Sequence, residues 1–232
     1  LSAYDRLPSA QLRTDNGGDI GGEMVYRGDN AVAHLPPPPE KPKRGQNLRT
    51  WFDDAQVLID RPAAGTACDM GVSMKGGVNA GSHNHDDIGS YVGVVGDRCV
   101  ILDPGSETYT SRTFGPHRFD SKLLNSFGHD VPRVAGQLQR QGAGAKARVI
   151  ATQFGEDEDR YTIDMKAAYA VPSLQSLTRA WTYSRGGAGV LTVEDHATFS
   201  SPEDFETALI TLGTWKAAAP DRLVITDGKG KD

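Results

Sequence analysis

The chain has 232 residues, 27 glycines, 13 prolines, two cysteines and a formal net charge of -5. That is long enough to bury one large core. Lys and Arg form no long blocks, no apolar run reaches the length of a membrane span, and two cysteines cannot make a disulfide framework. Nucleic-acid binding, a membrane span and a disulfide-stapled scaffold are therefore excluded as readings. Cys68 and Cys99 each sit among apolar residues and are expected to be buried free thiols.

Residues 1–48 are polar, carry two Gly-Gly pairs and end in Pro36-Pro-Pro-Pro-Glu-Lys-Pro42, a stiff extended spacer by composition. They read as a linker or the tail of a preceding domain, an irregular extension to a folded body at 49–232. Trp51-Phe52 and Gln56-Val-Leu-Ile-Asp60 read as its first strand, stopped by Arg61-Pro62, and Thr66 to Lys75 as its second. The stretch Gly77 to Tyr91 then brackets two histidines with glycines. In an extended segment His83 and His85 point the same way, with Asn84 opposite.

Ser90 to Val95 and Arg98 to Asp103 flank Gly96-Asp97, a hairpin signal that sets Val92 against Ile101 and Val94 against Cys99. Both faces of that hairpin are apolar, which predicts a central position in a packed β structure. Asp103 is the exception. It reads either as a residue starting the turn before Pro104-Gly105, or as a buried carboxylate that needs a countercharge or metal. Residues 104–144 carry few strand signals, so a functional loop or short helices are expected there.

Seven Lys or Arg face three acids between Gly105 and Arg148. The region reads as a solvated loop or as a basic surface that attracts an anionic ligand, with Arg112 and Arg118 as its candidate substrate-binding residues. From Ala147 the chain returns to regularly spaced strands: 148–154, 160–168, 176–184, 189–198, 205–211 and 223–226. The acidic turn Gly155 to Asp159 is expected to face solvent. Fold class is all-β, a multi-stranded antiparallel sandwich of stacked sheets, and the pattern reads as cut at both ends.

Imidazole and carboxylate are zinc ligands, and an H-x-H pair with a distant third ligand is an ordinary layout for them. His129 in Asn125-Ser-Phe-Gly-His-Asp130 is the third partner we select, with Asp103 as the carboxylate. A cupin-type metal motif also matches Gly77, His83 and His85. It lacks its glutamate, because Gly89 or Ser90 occupies that position.

Read together, Ser82-His-Asn-His-Asp-Asp-Ile-Gly-Ser-Tyr91, Ile101-Leu-Asp-Pro-Gly105, Tyr109-Thr110, Phe114 with Arg118-Phe119, Ser126-Phe-Gly-His129 and Gly136-Gln-Leu-Gln139 resemble the heparinase II/III-like polysaccharide lyases. The resemblance implies an N-terminal helical toroid in the same longer chain, a C-terminal β-sandwich, and an acidic polysaccharide bound between them and cleaved by β-elimination. It further implies that His83 is catalytic and that His85, Asp103 and His129 hold a structural zinc. It places the protein in the periplasm or outside the cell. Relatives usually carry Asn where Asp130 stands, and the extra charge would either weaken polyanion binding or complete the surroundings of the metal. The second reading from the residues is a non-catalytic β-sandwich that binds glycan or packs against a partner.

Overall fold

The computed structural model describes residues 47–226; all but the last two residues of the linker or domain tail expected at 1–48, and the last six residues of the body expected at 49–232, lie outside the described residues. One antiparallel sheet runs in the order β1 (Arg49–Phe52), β2 (Val57–Asp60), β3 (Met70–Lys75), β5 (Tyr91–Val95) and β6 (Arg98–Ile101). The short β4 (Val78–Asn79) leaves that sheet to pair with β8 (Gly142–Lys146). A second antiparallel sheet takes β9 (Arg148–Phe154), β10 (Glu158–Asp164), β11 (Leu174–Ser184) and β12 (Val190–Phe199), with β11 between β10 and β12. Two further pairs join β7 (Pro132–Val134) to β13 (Phe205–Thr207) and β14 (Thr214–Ala219) to β15 (Arg222–Thr226). The fold is an all-β sandwich.

Period-two alternation explains the packing. On β10 and β11 the residues Tyr161, Ile163, Leu177, Trp181 and Tyr183 all point inward, against Leu58, Val72, Met74 and Tyr91 of the first sheet. Tyr161 stacks on Trp181 at 5.0 Å and meets Trp51 edge-on at 5.1 Å. Burying each such ring contributes roughly 1.5–3 kcal/mol or more. Both buried phenols also stitch the sheets: Tyr161 Oη donates to the Gln56 carbonyl at 2.9 Å and Tyr183 Oη to the Met70 carbonyl. Among the described residues no helix is long and apolar enough to cross a membrane.

Several expectations are corrected. The first predicted strand is a hairpin, because Asp53 to Gln56 turns the chain and Gln56 takes a left-handed φ of 55°. Val94 opposes Cys99 as expected, but a bulge at Gly93 sets that glycine, not Val92, against Ile101. The hairpin is not central. Strand β6 is the sheet edge, so Cys99 is exposed while Cys68 is buried. Chain 205–211 is strand only to Thr207, 160–168 closes in a 3-10 turn at Lys166–Ala168, and β14 went unread.

The turn at 155–159 does not put all its acids in solvent. Asp159 lies on the inward face of β10, 1% exposed, where it accepts from Arg185 at 2.5 Å and from Arg49 at 2.8 Å. Arg185 also reaches Asp60, which is equally buried. Burial first, then the bond to and charge of Asp159, push the Asp60 carboxyl up to about 8.

Candidate functional site

Residues 80–89 turn rather than extend, and this separates the two histidines. His83 sits at φ 59°, a left-handed conformation that His tolerates better than most residues, so the alternation expected of a strand end does not apply. His83 turns toward Tyr109 and Phe114, whereas His85 turns toward His129. The loop is anchored from several sides. Asp86 N donates to the Leu124 carbonyl at 2.9 Å, Arg118 Nη2 to the Asn84 carbonyl at 2.7 Å, and Lys75 reaches Asp87 at 2.5 Å.

His85, Asp103 and His129 converge, with one ligand atom from each lying within 4.8 Å of the others. His129 is 1% exposed, and neither ring nitrogen has a hydrogen-bond partner. Its Nδ1 approaches Asp103 Oδ2 at 3.1 Å without the alignment of a hydrogen bond. A buried imidazole whose Nε2 has no partner and whose Nδ1 makes no aligned hydrogen bond is costly unless something else occupies it, and two imidazoles with one carboxylate are a zinc-type donor set. The residues therefore fit a metal.

The electrostatics agree. Burial, then the neighbouring His129, lower the pKa of His85 and favour the neutral ring a metal requires. At Asp103 burial works upward, but the contact with His129, that ring's charge and the Gly105 N–H outweigh it and hold the carboxyl below its ordinary value. Asp103 is not a buried strand residue: it follows β6, its side chain is 38% exposed, and Oδ1 caps the turn by accepting from Gly105 N at 2.8 Å. The turn reading of Asp103 holds, and the buried-carboxylate reading does not, because the side chain stands partly in solvent.

Short 3-10 turns at Arg112–Phe114, Arg118–Asp120 and Ser126–Gly128 fill the region expected to be a loop or short helices. A Cβ on Gly128 would run into the Lys122 carbonyl, so glycine there lets the loop close directly beside His129. Within this loop Tyr109 Oη lies 3.1 Å from His83 Nδ1, the two rings stack at 5.6 Å, and Phe114 meets both edge-on. All three side chains are exposed at the surface. The two arginines build the same loop. Arg112 clamps both oxygens of Glu107, and Arg118 Nη1 donates to the Thr113 carbonyl.

Asp130 is 1% exposed, accepts from Ile210 N, and is pushed up to about 7 chiefly by burial. Asp86 is similarly buried and raised to about 7 by burial and the charge of Asp87.

Two supporting residues have no role assigned from the sequence: Gln139, which stands in the Gly136-Gln-Leu-Gln139 motif, and Arg179. Gln139 bonds Ile88 through both its amide groups, and its own N–H donates to Ser126 Oγ. Arg179, 1% exposed, donates to the carbonyls of Gly89 and Asp130, each at 2.7 Å, and holds Asp195 with two further bonds. An arginine in the inward register of Leu177, Trp181 and Tyr183 was the available signal.

No family model and no curated protein matches the sequence. Solved structures do. A heparinase III structure is 17% identical with a TM-score of 0.56, covering 74% of this chain and 26% of that one. A mutant of heparan sulfate lyase HepC from Pedobacter heparinus is 16% identical with a TM-score of 0.53, over 68% of this chain and 23% of that one. A heparinase III gene product with methylated lysines is 11% identical with a TM-score of 0.58, over 74% and 25%. The chain spans about a quarter of the length of these proteins, and over that span it has a heparinase-like polysaccharide lyase fold.

Proposed function

We propose that this chain is the sandwich part of a polysaccharide lyase that cleaves uronic-acid-containing acidic glycans by β-elimination. The observation that carries the reading is the separation of two histidines one residue apart, within a heparinase-like fold. His85 joins a metal-fitting cluster around the buried His129, and His83 stays exposed beside Tyr109. A metal-bound imidazole cannot exchange protons, so only His83 is available for acid or base work.

In this reading His85, Asp103 and His129 hold a structural zinc, whose chemistry when bound is to tie three chain segments together. Arg118 supplies positive field toward an acidic glycan while its guanidinium shapes the wall of the site, and Arg112 supports that wall through Glu107. A helical domain of a longer chain completes the cleft, and the protein works in the periplasm or outside the cell.

The test is lyase activity of the longer protein on a panel of acidic polysaccharides, read as absorbance of unsaturated uronate. His83→Ala is expected to lower turnover by about 10²–10⁴-fold with metal content unchanged, the usual worth of a general acid or base. No activity on any uronate polymer, or full activity in His83→Ala, overturns the proposal.

A further inference from the structure

We infer that Tyr109 is a positioning residue that fixes the tautomer of His83, so that the ring presents an N–H, and not a lone pair, at Nε2. The inference deepens the reading of His83 as the working imidazole and rests on it. The geometry is specific. Tyr109 Oη lies 3.1 Å from Nδ1, the rings overlap at 5.6 Å with planes 28° apart, and Phe114 stands edge-on to both at 5.8 and 5.2 Å. The ring is thus held on two sides, and the left-handed φ of 59° at His83 aims it there.

A neutral imidazole has one donor and one acceptor nitrogen, and the bond made by one nitrogen decides which form is present. A phenol is a far stronger acid than a neutral imidazole N–H, and an imidazole nitrogen is a better acceptor than a phenol oxygen. The bond between them therefore runs from Tyr109 O–H to His83 Nδ1, which leaves the ring proton on Nε2. A nitrogen that already carries its proton does not accept the one removed from a sugar carbon. Nε2 instead donates, toward a uronate carboxylate or a departing oxygen, and the base of an elimination must be another group.

The test reads the ring itself. Long-range ¹H–¹⁵N spectra of the chain and of Tyr109→Phe are recorded at a pH of about 8.5, well above the ordinary imidazole range. His83→Gln identifies the His83 signals. The parent is expected to show His83 with the proton on Nε2. Tyr109→Phe keeps the stacked ring, removes only the hydroxyl, and is expected to shift the tautomer ratio toward Nδ1–H by about 2- to 10-fold, the worth of one ordinary hydrogen bond. A parent ring protonated mainly at Nδ1 overturns the inference, and so do identical ring spectra in the two proteins. These spectra do not depend on turnover. An inactive longer protein with the expected spectra rejects the lyase reading alone, while an active one with the wrong tautomer rejects the role of Tyr109 alone.

Discussion

Loading the chain with zinc is expected to raise its thermal midpoint, and His85→Ala is expected to abolish that rise. Without metal, His129 keeps Nε2 buried with no partner and Nδ1 with only its misaligned contact to Asp103, and one unsatisfied buried group costs about 1–3 kcal/mol. Free zinc at about one hundred times its dissociation constant stabilises a folded site by about 2.7 kcal/mol. For a body of this size each kcal/mol is worth about 2–4 °C, so the midpoint should move by about 5–11 °C. Thermal unfolding by circular dichroism, on chelator-stripped protein titrated with zinc, measures this directly. His83→Ala must retain the shift, because its ring faces Tyr109 and not His129. The lowered pKa of His85 adds a pH signature. In metal-free protein the unfolded chain takes up that proton first as pH falls through the ordinary imidazole value, so the contribution of this group is present above that value and is lost below it. No zinc-dependent shift, or an equal shift in His85→Ala, refutes the metal assignment.

Asp130→Asn is expected to stabilise the protein at pH 8 and to flatten its stability between about pH 4 and 7. A carboxyl raised to about 7 holds its proton more tightly when folded, so it costs stability increasingly as pH rises through that window. Chemical denaturation at pH 5 and 8 decides, and an unchanged difference between the two pH values counts against it. Arg185→Met should cost about 3–5 kcal/mol, because it removes the closest cation from the buried Asp159 carboxylate and a donor from the protonated Asp60 beside it. A loss below about 1 kcal/mol in urea unfolding would show that Arg49 alone suffices for Asp159. The 232-residue chain by itself is expected not to cleave any polysaccharide, since elimination needs a base, a donor to the leaving oxygen and a group that neutralises the uronate, held together. New unsaturated-uronate absorbance from it would refute this.

What the sequence carried well were features set by period and by residue chemistry. Alternation along 148–154 and 176–184 gave strands within two residues of β9 and β11, and donor type pointed to the H-x-H pair, Asp103 and His129 in three distant segments, from which the family resemblance took His85, Asp103 and His129. What it missed depends on long-range contact. The Gly93 bulge moved the hairpin register by one residue, and nothing local distinguishes a central hairpin from one whose outer strand ends a sheet. Asp159 reads as a surface turn residue until Arg185, twenty-six positions later, is brought under it. Similarly, His83 and His85 share a face only if the backbone is extended, and the left-handed turn at His83 removes that premise.

That turn is also what gives one loop two kinds of imidazole. Its metal-fitting half is fastened by buried side chains. Arg179 on β11 reaches across to Gly89, just beyond His85, and to Asp130, next to His129, while Gln139 ties Ile88 to the Ser126 turn. Gly89 has no room for a side chain, since a Cβ there would press on Met165 and its φ is 91°. His85 and His129 are therefore held by buried bonds that exist without any metal, which lowers the ordering a metal must impose. The other half has no such fastening. His83 and Tyr109 are exposed, joined by one hydrogen bond and one stacked contact. In the function proposed above, a metal held around the buried His129 would set position while leaving the exposed His83–Tyr109 pair, two residues from His85, free for chemistry.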